Sequence, residues 1–250
     1  MKWTKKEDKI LVDNYGKILV GEIPLNRSSI SIRNRARRLK LKSSLKGQGK
    51  RKYTCNDNFF SKPNLNNCYW AGFIAADGSI VFGRNCLKIS LAIKDKQHLE
   101  TFKKSIKFNG PLISDNYGMI TLSIHSKQIC EDLKNNFSIT SRKTFSLQPP
   151  IIFKNIFILS FIKGYIDGDG WLTFENHKKY RYLSIGILGT EYMMLWIRNQ
   201  LNNILELNLT HNIIKIKNIY RFAVTGKNAE LIKNKLNNIS TGLDRKWKLR

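Results

Sequence analysis

Two carboxylates close two copies of one phrase. Trp70-Ala-Gly-Phe-Ile-Ala-Ala-Asp-Gly78 and Ile162-Lys-Gly-Tyr-Ile-Asp-Gly-Asp-Gly170 are apolar, helix-like runs that each finish in an Asp followed at once by Gly. An Asp in the last turn of a helix faces the negative end of the macrodipole, and Gly78 and Gly170 stand where a helix-ending glycine belongs. Asp77 and Asp169 are therefore electrostatically awkward one by one. Brought together they would repel each other, unless a divalent cation sat between them. The pair reads as a metal site built by duplication.

Helices must position these acids, and their small residues say how. Gly72 and Ala76 in the first run, like Gly164 and Gly168 in the second, are i and i+4 neighbours on one face. A glycine inside a helix costs about 1 kcal/mol relative to alanine. Close backbone approach of two helices offsets such a cost and would bring Asp77 and Asp169 out side by side. After each run the sequence repeats its plan. An alternating strand follows: Leu87, Ile89, Leu91 and Ile93 oppose Lys88, Ser90 and Lys94, and Leu183, Ile185 and Ile187 oppose Tyr182, Ser184 and Gly186. Apolar-periodic helices come next, at Leu99–Ile106 and Met193–Ile204. Matched phrases then recur, Ile124-His-Ser-Lys127 with Val224-Thr-Gly-Lys227, and Ser141-Arg-Lys143 with Asp244-Arg-Lys246. Gln148-Pro-Pro150 separates the copies. The expected fold class is α+β: two pseudo-symmetric αββαββα repeats, 63–150 and 151–250, preceded by a small all-α three-helix module.

That module spans 1–46. Thr4 and Glu7 form a capping box, with Trp3 ahead of it and Ile10, Leu11 and Tyr15 at helical spacing. Gly16 closes the helix, and Pro24 interrupts the apolar stretch Val20–Leu25. A third helix opens at Ser28 or Ser29, with Ile32, Ala36 and Leu39 inward and Arg33, Asn34, Arg35, Arg37 and Arg38 outward, as in a helix-turn-helix that enters a major groove. Residues 47–62, with Lys50, Arg51 and Lys52, read as a basic linker lying on phosphates, and the basic run equally suits a nuclear address.

Composition agrees with a polyanionic partner. The 250 residues carry 44 Lys and Arg against 18 Asp and Glu, a formal charge of +26. Cys55, Cys68, Cys86 and Cys130 have neither zinc-site nor disulfide-framework spacing, which suits free thiols in a reducing compartment. His98, His125, His177 and His211 are scattered, so no catalytic histidine is assigned. With no secretory signal and no membrane-spanning run, the expected setting is intracellular: cytoplasm, a phage-infected cell or an organelle.

Both phrases resemble the dodecapeptide signature of LAGLIDADG homing endonucleases, in the form carrying two motifs in one chain. The match lies in the spacing and the final Asp-Gly. It departs at Ala75, where the signature has its first Asp (Asp167 fills that place in the second copy), and at Gly72–Ala76, which replaces a Gly–Gly pair. Trp3-Thr-Lys-Lys-Glu-Asp-Lys-Ile-Leu11 is similar to Myb/SANT-like DNA-binding helices. The LAGLIDADG resemblance implies a site-specific DNA endonuclease: a monomer that cuts both strands of duplex DNA at a long asymmetric target and leaves a short 3′ overhang. Metal ions held by carboxylates activate water and offset charge on the phosphorus oxygens. Asp77 and Asp169 would hold Mg²⁺, with Mn²⁺ as substitute and the carbonyls of Ala76 and Gly168 as further ligands. Lys127 and Lys227 match the family's basic residue near the active site. Asp95 falls at a polar active-site position where the second copy aligns Gly189, so the two sites are expected to be unequal. The polar strand faces, with Lys88, Ser90, Thr121, Ser123, Lys215, Lys217 and Arg221, form the expected DNA-reading surface. The resemblance leaves two alternatives open, an RNA maturase acting on its own intron RNA and a non-cleaving DNA-binding regulator. An intein is not expected, for want of flanking splicing residues.

Overall fold

The computed structural model describes residues 2–42, 51–177, 180–211 and 213–248. It divides into two units, Met1–Lys52 and Tyr53–Arg250.

The centre of the second unit follows from its glycines. The two signature runs form helices α3 (Leu65–Asp77) and α6 (Asn155–Asp169), both buried along most of their length. A methyl group on Gly72 would lie 1.9 Å from the carbonyl oxygen of Phe161, and one on Gly164 would lie 1.9 Å from that of Tyr69. One at Gly168 would meet the Ala76 methyl at 2.3 Å. The helices thus touch backbone to backbone, which only missing side chains allow. Each ends without a left-handed residue. Gly78 (φ −84°, ψ 165°) and Gly170 (φ −106°, ψ 171°) are extended, because the chain passes straight from helix to strand. A side chain there would still crowd the preceding turn, as Ile74 and Ile166 atoms lie within 2.7 Å of the added carbon.

From each helix the same order unfolds. The first repeat continues through β1 (Gly78–Ile80), β2 (Cys86–Ala92), α4 (Lys96–Ser105), β3 (Ile113–Ser114), β4 (Met119–His125) and α5 (Lys127–Phe137). The second continues through β5 (Gly170–His177), β6 (Tyr180–Gly189), α7 (Glu191–Leu205), β7 (Ile214–Ile216), β8 (Ile219–Thr225) and α8 (Gly226–Asn237), and a short α9 (Asp244–Trp247) follows. Both sheets are four-stranded and antiparallel, in the orders β1-β2-β4-β3 and β5-β6-β8-β7. Period-two alternation puts Leu87, Ile89 and Leu91, and Leu183, Ile185 and Ile187, onto the helices in one continuous core. Ile93 leaves this pattern. It is half exposed, in a 3₁₀ turn (Ile93–Asp95) that leads into α4.

Residues 53–62 differ from the linker expected for 47–62. Phe60 is fully buried in the core of the second unit, packed edge-on against Phe59 and Phe137. Tyr53 packs edge-on against Phe108, and the Asn56 amide donates to the Ile106 carbonyl at 2.8 Å. Lone aromatics without periodicity concealed this from the sequence.

Among the described residues the first unit holds two α-helices where three were expected. Helix α1 (Lys5–Asn14) starts at the Thr4–Glu7 capping box, and α2 (Ser29–Arg38) is capped by Ser28. Between them Val20–Glu22 makes a single 3₁₀ turn, since Pro24 leaves no length for an α-helix. Leu11, Ile23, Ile32 and Ala36 form a separate small core. No helix among the described residues is long and apolar enough to cross a membrane.

Candidate active site

Asp77 and Asp169 close α3 and α6 at the same end of the helix pair. The Gly168 position lies beside Asp77, since a methyl there would sit 3.4 Å from the Asp77 carboxyl carbon. Both acids open to solvent on one side and are walled by protein on the others. Burial pushes the Asp77 carboxyl up to about 6, with the nearby charge of Asp169 adding to the effect. Burial raises Asp169 as well, against the attraction of Lys143 and Lys246.

Those two lysines complete the cluster. Lys143 lies in a 3₁₀ turn after α5 and is buried; its Nζ donates to the carbonyls of Ala75 (2.6 Å) and Ala76 (2.9 Å). Lys246, on α9, donates to the carbonyls of Ile166 (2.9 Å), Gly168 (3.3 Å) and Gly170 (2.6 Å). Each ammonium thus sits on the carbonyl-rich end of the helix whose last residue is the acidic one. Burial lowers the pKa of both lysines, and the two Asp charges oppose that shift. The echo between Ser141-Arg-Lys143 and Asp244-Arg-Lys246 carries this signal in the sequence, whereas the family resemblance points to Lys127 and Lys227.

Those other lysines lie elsewhere. Gly78, Ile89 and Leu122 form one row across the first sheet, and Gly170, Ile187 and Phe222 the matching row of the second. Beyond Leu122 and Phe222 the strands run on to His125 and Thr225, three residues or roughly 10 Å, before the helices bearing Lys127 and Lys227 begin. Lys127 is exposed and pairs with Glu131 at 3.4 Å. Lys227 is exposed in the first turn of α8. The lysines that act electrostatically on both Asp77 and Asp169 are Lys143 and Lys246.

Asp167 and Asp95 anchor the surrounding structure. Asp167 is buried, and its carboxylate accepts from Tyr69 Oη (2.6 Å), the Leu243 amide (2.7 Å) and Trp247 Nε1 (2.6 Å). It ties α3, α6 and the segment carrying Lys246 together. Lys163, also buried, holds the same segment through the Ile239 carbonyl at 2.6 Å. His98 reaches Tyr69 Oη at 3.0 Å and is held near pKa 4 by burial, which keeps it neutral. Asp95 accepts a two-pronged pair from Arg245, Nε at 2.8 Å and Nη2 at 2.9 Å, so repeat one grips the end of repeat two. Its topological counterpart is Thr190 rather than Gly189: both stand at the N-cap position of the helix after the second strand. Thr190 Oγ1 donates to the Leu147 carbonyl at 2.7 Å, the reciprocal grip without charge. The two halves are therefore unequal. Asp95 adds negative charge near Asp77, while a cavity of about 240 Å³ beside Asp169 is lined by Ala76, Lys143, Tyr165 and Thr190.

Among the described residues no group of three or more His, Cys, Asp or Glu side chains could cage a metal. Two open carboxylates fit a hydrated Mg²⁺, which keeps most of its waters and uses one or two protein carboxylates. Burial raises both carboxyl pKa values, and a bound cation would favour the ionised forms. The Ala76 and Gly168 carbonyls are weaker candidates as ligands, because each already accepts a lysine hydrogen bond.

The expected nucleic-acid surface divides. Lys88 pairs with Ser123 and Ser90 with Thr121 in register, so these four share the outer face of the first sheet, and the Ser90 and Thr121 hydroxyls meet at 2.8 Å. Arg221 lies on the outer face of the second sheet. Lys215 does not: it pairs with Tyr220, on the helix-side face, with Nζ 6.0 Å from the Tyr220 ring centre. Lys217 is in the β7–β8 turn at φ 54°. On α2, Arg33, Asn34, Arg37 and Arg38 are exposed. Arg35 turns inward, bound to Asp8 at 2.7 Å and stacked 5.8 Å from the Trp3 ring centre. Arg51 and Lys52 are exposed. Lys50 lies outside the described residues.

No protein-family model and no curated protein matches the chain. Solved structures do. LAGLIDADG meganuclease I-AabMI bound to uncleaved DNA aligns with TM-score 0.51 at 13% identity, covering 73% of this chain and 86% of that one. The K262A mutant of I-SmaMI aligns with TM-score 0.52 at 15% identity, covering 73% and 87%. Meganuclease I-SmaMI bound to uncleaveable DNA with a TTGT central four gives TM-score 0.52 at 13% identity, covering 72% and 86%. The second unit has the LAGLIDADG endonuclease fold.

Proposed function

We propose that this chain, on a fold it shares with DNA-bound meganucleases, is a site-specific endonuclease that hydrolyses both strands of duplex DNA. One observation carries the reading: the two helix ends bring Asp77 and Asp169 together with Lys143 and Lys246 on their carbonyls. Mg²⁺, with Mn²⁺ as substitute, would be held by Asp77 and Asp169 and would supply Lewis acidity and an activated water. The protein's own groups do the rest. The carboxylates present fixed negative charge at the mouth. The lysines neutralise the helix ends and set positive charge beside an incoming phosphate, where developing negative charge is stabilised without reorganisation. One such half for each strand accounts for a double-strand cut. The outer sheet faces read the duplex, and α2 adds a major-groove contact through Arg33, Asn34, Arg37 and Arg38.

The test is a cleavage selection: purified chain with Mg²⁺ on a randomised duplex library, run beside Asp77→Asn. Recovered ends that vanish with the variant support the proposal and reveal target and overhang together. Tight, salt-sensitive duplex binding without cut ends would indicate a regulator. Preference for structured intron RNA would indicate a maturase.

A further inference from the structure

The two sheets do not offer DNA the same reach. In the first repeat, β1 pairs with β2 over three residues, Gly78–Ile80 against Leu87–Ile89. The hairpin then closes, with the Val81 amide bonded to the Cys86 carbonyl at 2.9 Å and every β2 residue still flanked by β4. In the second repeat, β5 and β6 pair over eight residues, but β8 accompanies β6 only as far as Ser184. Phe174–His177 and Tyr180–Leu183 therefore continue as a two-stranded ribbon without a third strand beside it, its first pair, Phe174 and Leu183, still packed on the core. Four extra pairs at about 3.3 Å each project roughly 13 Å past the body of the sheet, about the rise of four base pairs.

The ribbon's chemistry is also distinct. Register places Thr173, Glu175 and Tyr182 on the outer face, with the Tyr182 hydroxyl 3.4 Å from Glu175 Oε2. Arg181 lies on the opposite face, over the Phe174 ring at 4.2 Å. Glu175 is the one carboxylate on the outer face of either sheet among the described residues. On a protein of charge +26, an exposed acid there opposes phosphate contact. A carboxylate inside a major groove has one favourable set of partners, the exocyclic amino groups of cytosine and adenine.

Resting on the endonuclease reading, we propose that the target has unequal half-sites: the half under repeat two is read about four base pairs further out by the β5–β6 ribbon, and Glu175 selects an amino-bearing base there. The ribbon is a specificity element, remote from Asp77 and Asp169.

Binding selection and hydroxyl-radical footprinting of the full chain in Ca²⁺, followed by cleavage mapping in Mg²⁺, test this. The wild type should protect a longer half-site on the repeat-two side and show about tenfold or greater preference for cytosine or adenine at one outer position. Glu175→Ala should erase that preference and leave the cut position unchanged. Replacing residues 175–182 with Asn-Gly, a two-residue turn that suits the Phe174–Leu183 pair, should shorten protection by about three base pairs on that side alone. Equal half-sites, or identical base preferences in wild type and Glu175→Ala, would overturn the inference while leaving the endonuclease reading intact. Failure to select any duplex would overturn both.

Discussion

At the scale of single residues, the site sets carboxylates against their surroundings, and that has a measurable sign. Asp77 titrates near 6 in the fold against 3.8 ordinarily. As pH falls through about 6 the folded chain takes up a proton that the unfolded chain takes up only near 3.8, so ionised Asp77 weakens the fold above that window. Without divalent metal, Asp77→Asn should therefore melt higher than wild type at pH 7.5. The gap should narrow as pH falls through 6, and a gap independent of pH would contradict the assignment. Cleavage should decline over the same range, as protons compete with the metal for the carboxylates. The lysines separate by position. Lys143→Met or Lys246→Met should slow single-turnover cleavage by about 10²-fold with binding changed much less, as for loss of a transition-state charge partner. Lys127→Ala and Lys227→Ala should change cleavage only in step with binding; the reverse ranking would assign the catalytic role to Lys127 and Lys227. Both pairs of lysines were visible as internal echoes. Which pair reaches the acids depends on how the segments after α5 and α8 fold back, and no local pattern encodes that.

At the scale of elements, the helix pair is the most legible part of the chain, because its constraint is short-range and appears twice. Gly164 and Gly168 mark the contact face in the sequence, and in the structure they meet the Tyr69 carbonyl and the Ala76 methyl. The small-residue pairs are complementary rather than identical, which gives a specific test. Gly168→Ala should destabilise the second unit by about 1–3 kcal/mol in urea unfolding, the usual range for overpacking. Adding Ala76→Gly moves the methyl to the other helix and should recover most of that loss. Independent, additive losses would mean the two residues do not share one contact. Strand alternation was legible for the same reason, as burial of Leu87, Ile89 and Leu91 leaves a period of two. Lys215 was misplaced because β7 has only three residues, too few for alternation to fix its face. Asp167 was hidden differently. It looked like a signature acid that its copy lacks, and only the tertiary fold turns it away from the mouth, onto Tyr69 and Trp247.

At the scale of the whole molecule, the shared positive charge gives the two units one expected task, duplex binding. Each has its own core, so removing residues 1–46 should leave the second unit folded and its cut position unchanged. What should change is affinity and its dependence on salt. Among the described residues, exposed Arg33, Arg37 and Arg38 on α2 lack the ion pairs that hold Arg27 to Glu7 and Arg35 to Asp8. If those three meet phosphates, the slope of log K against log salt should become shallower by roughly 3, since each neutralised phosphate releases close to one counterion. Affinity near physiological salt should fall with it, and the footprint should lose the bases under the module. Arg35→Ala supplies the control. It should lower the stability of the first unit without the same change in slope, because its guanidinium already serves Asp8 and Trp3. A truncated chain with an unchanged salt slope would show that the module does not touch the duplex, and the +26 charge would then act through the LAGLIDADG-fold unit alone.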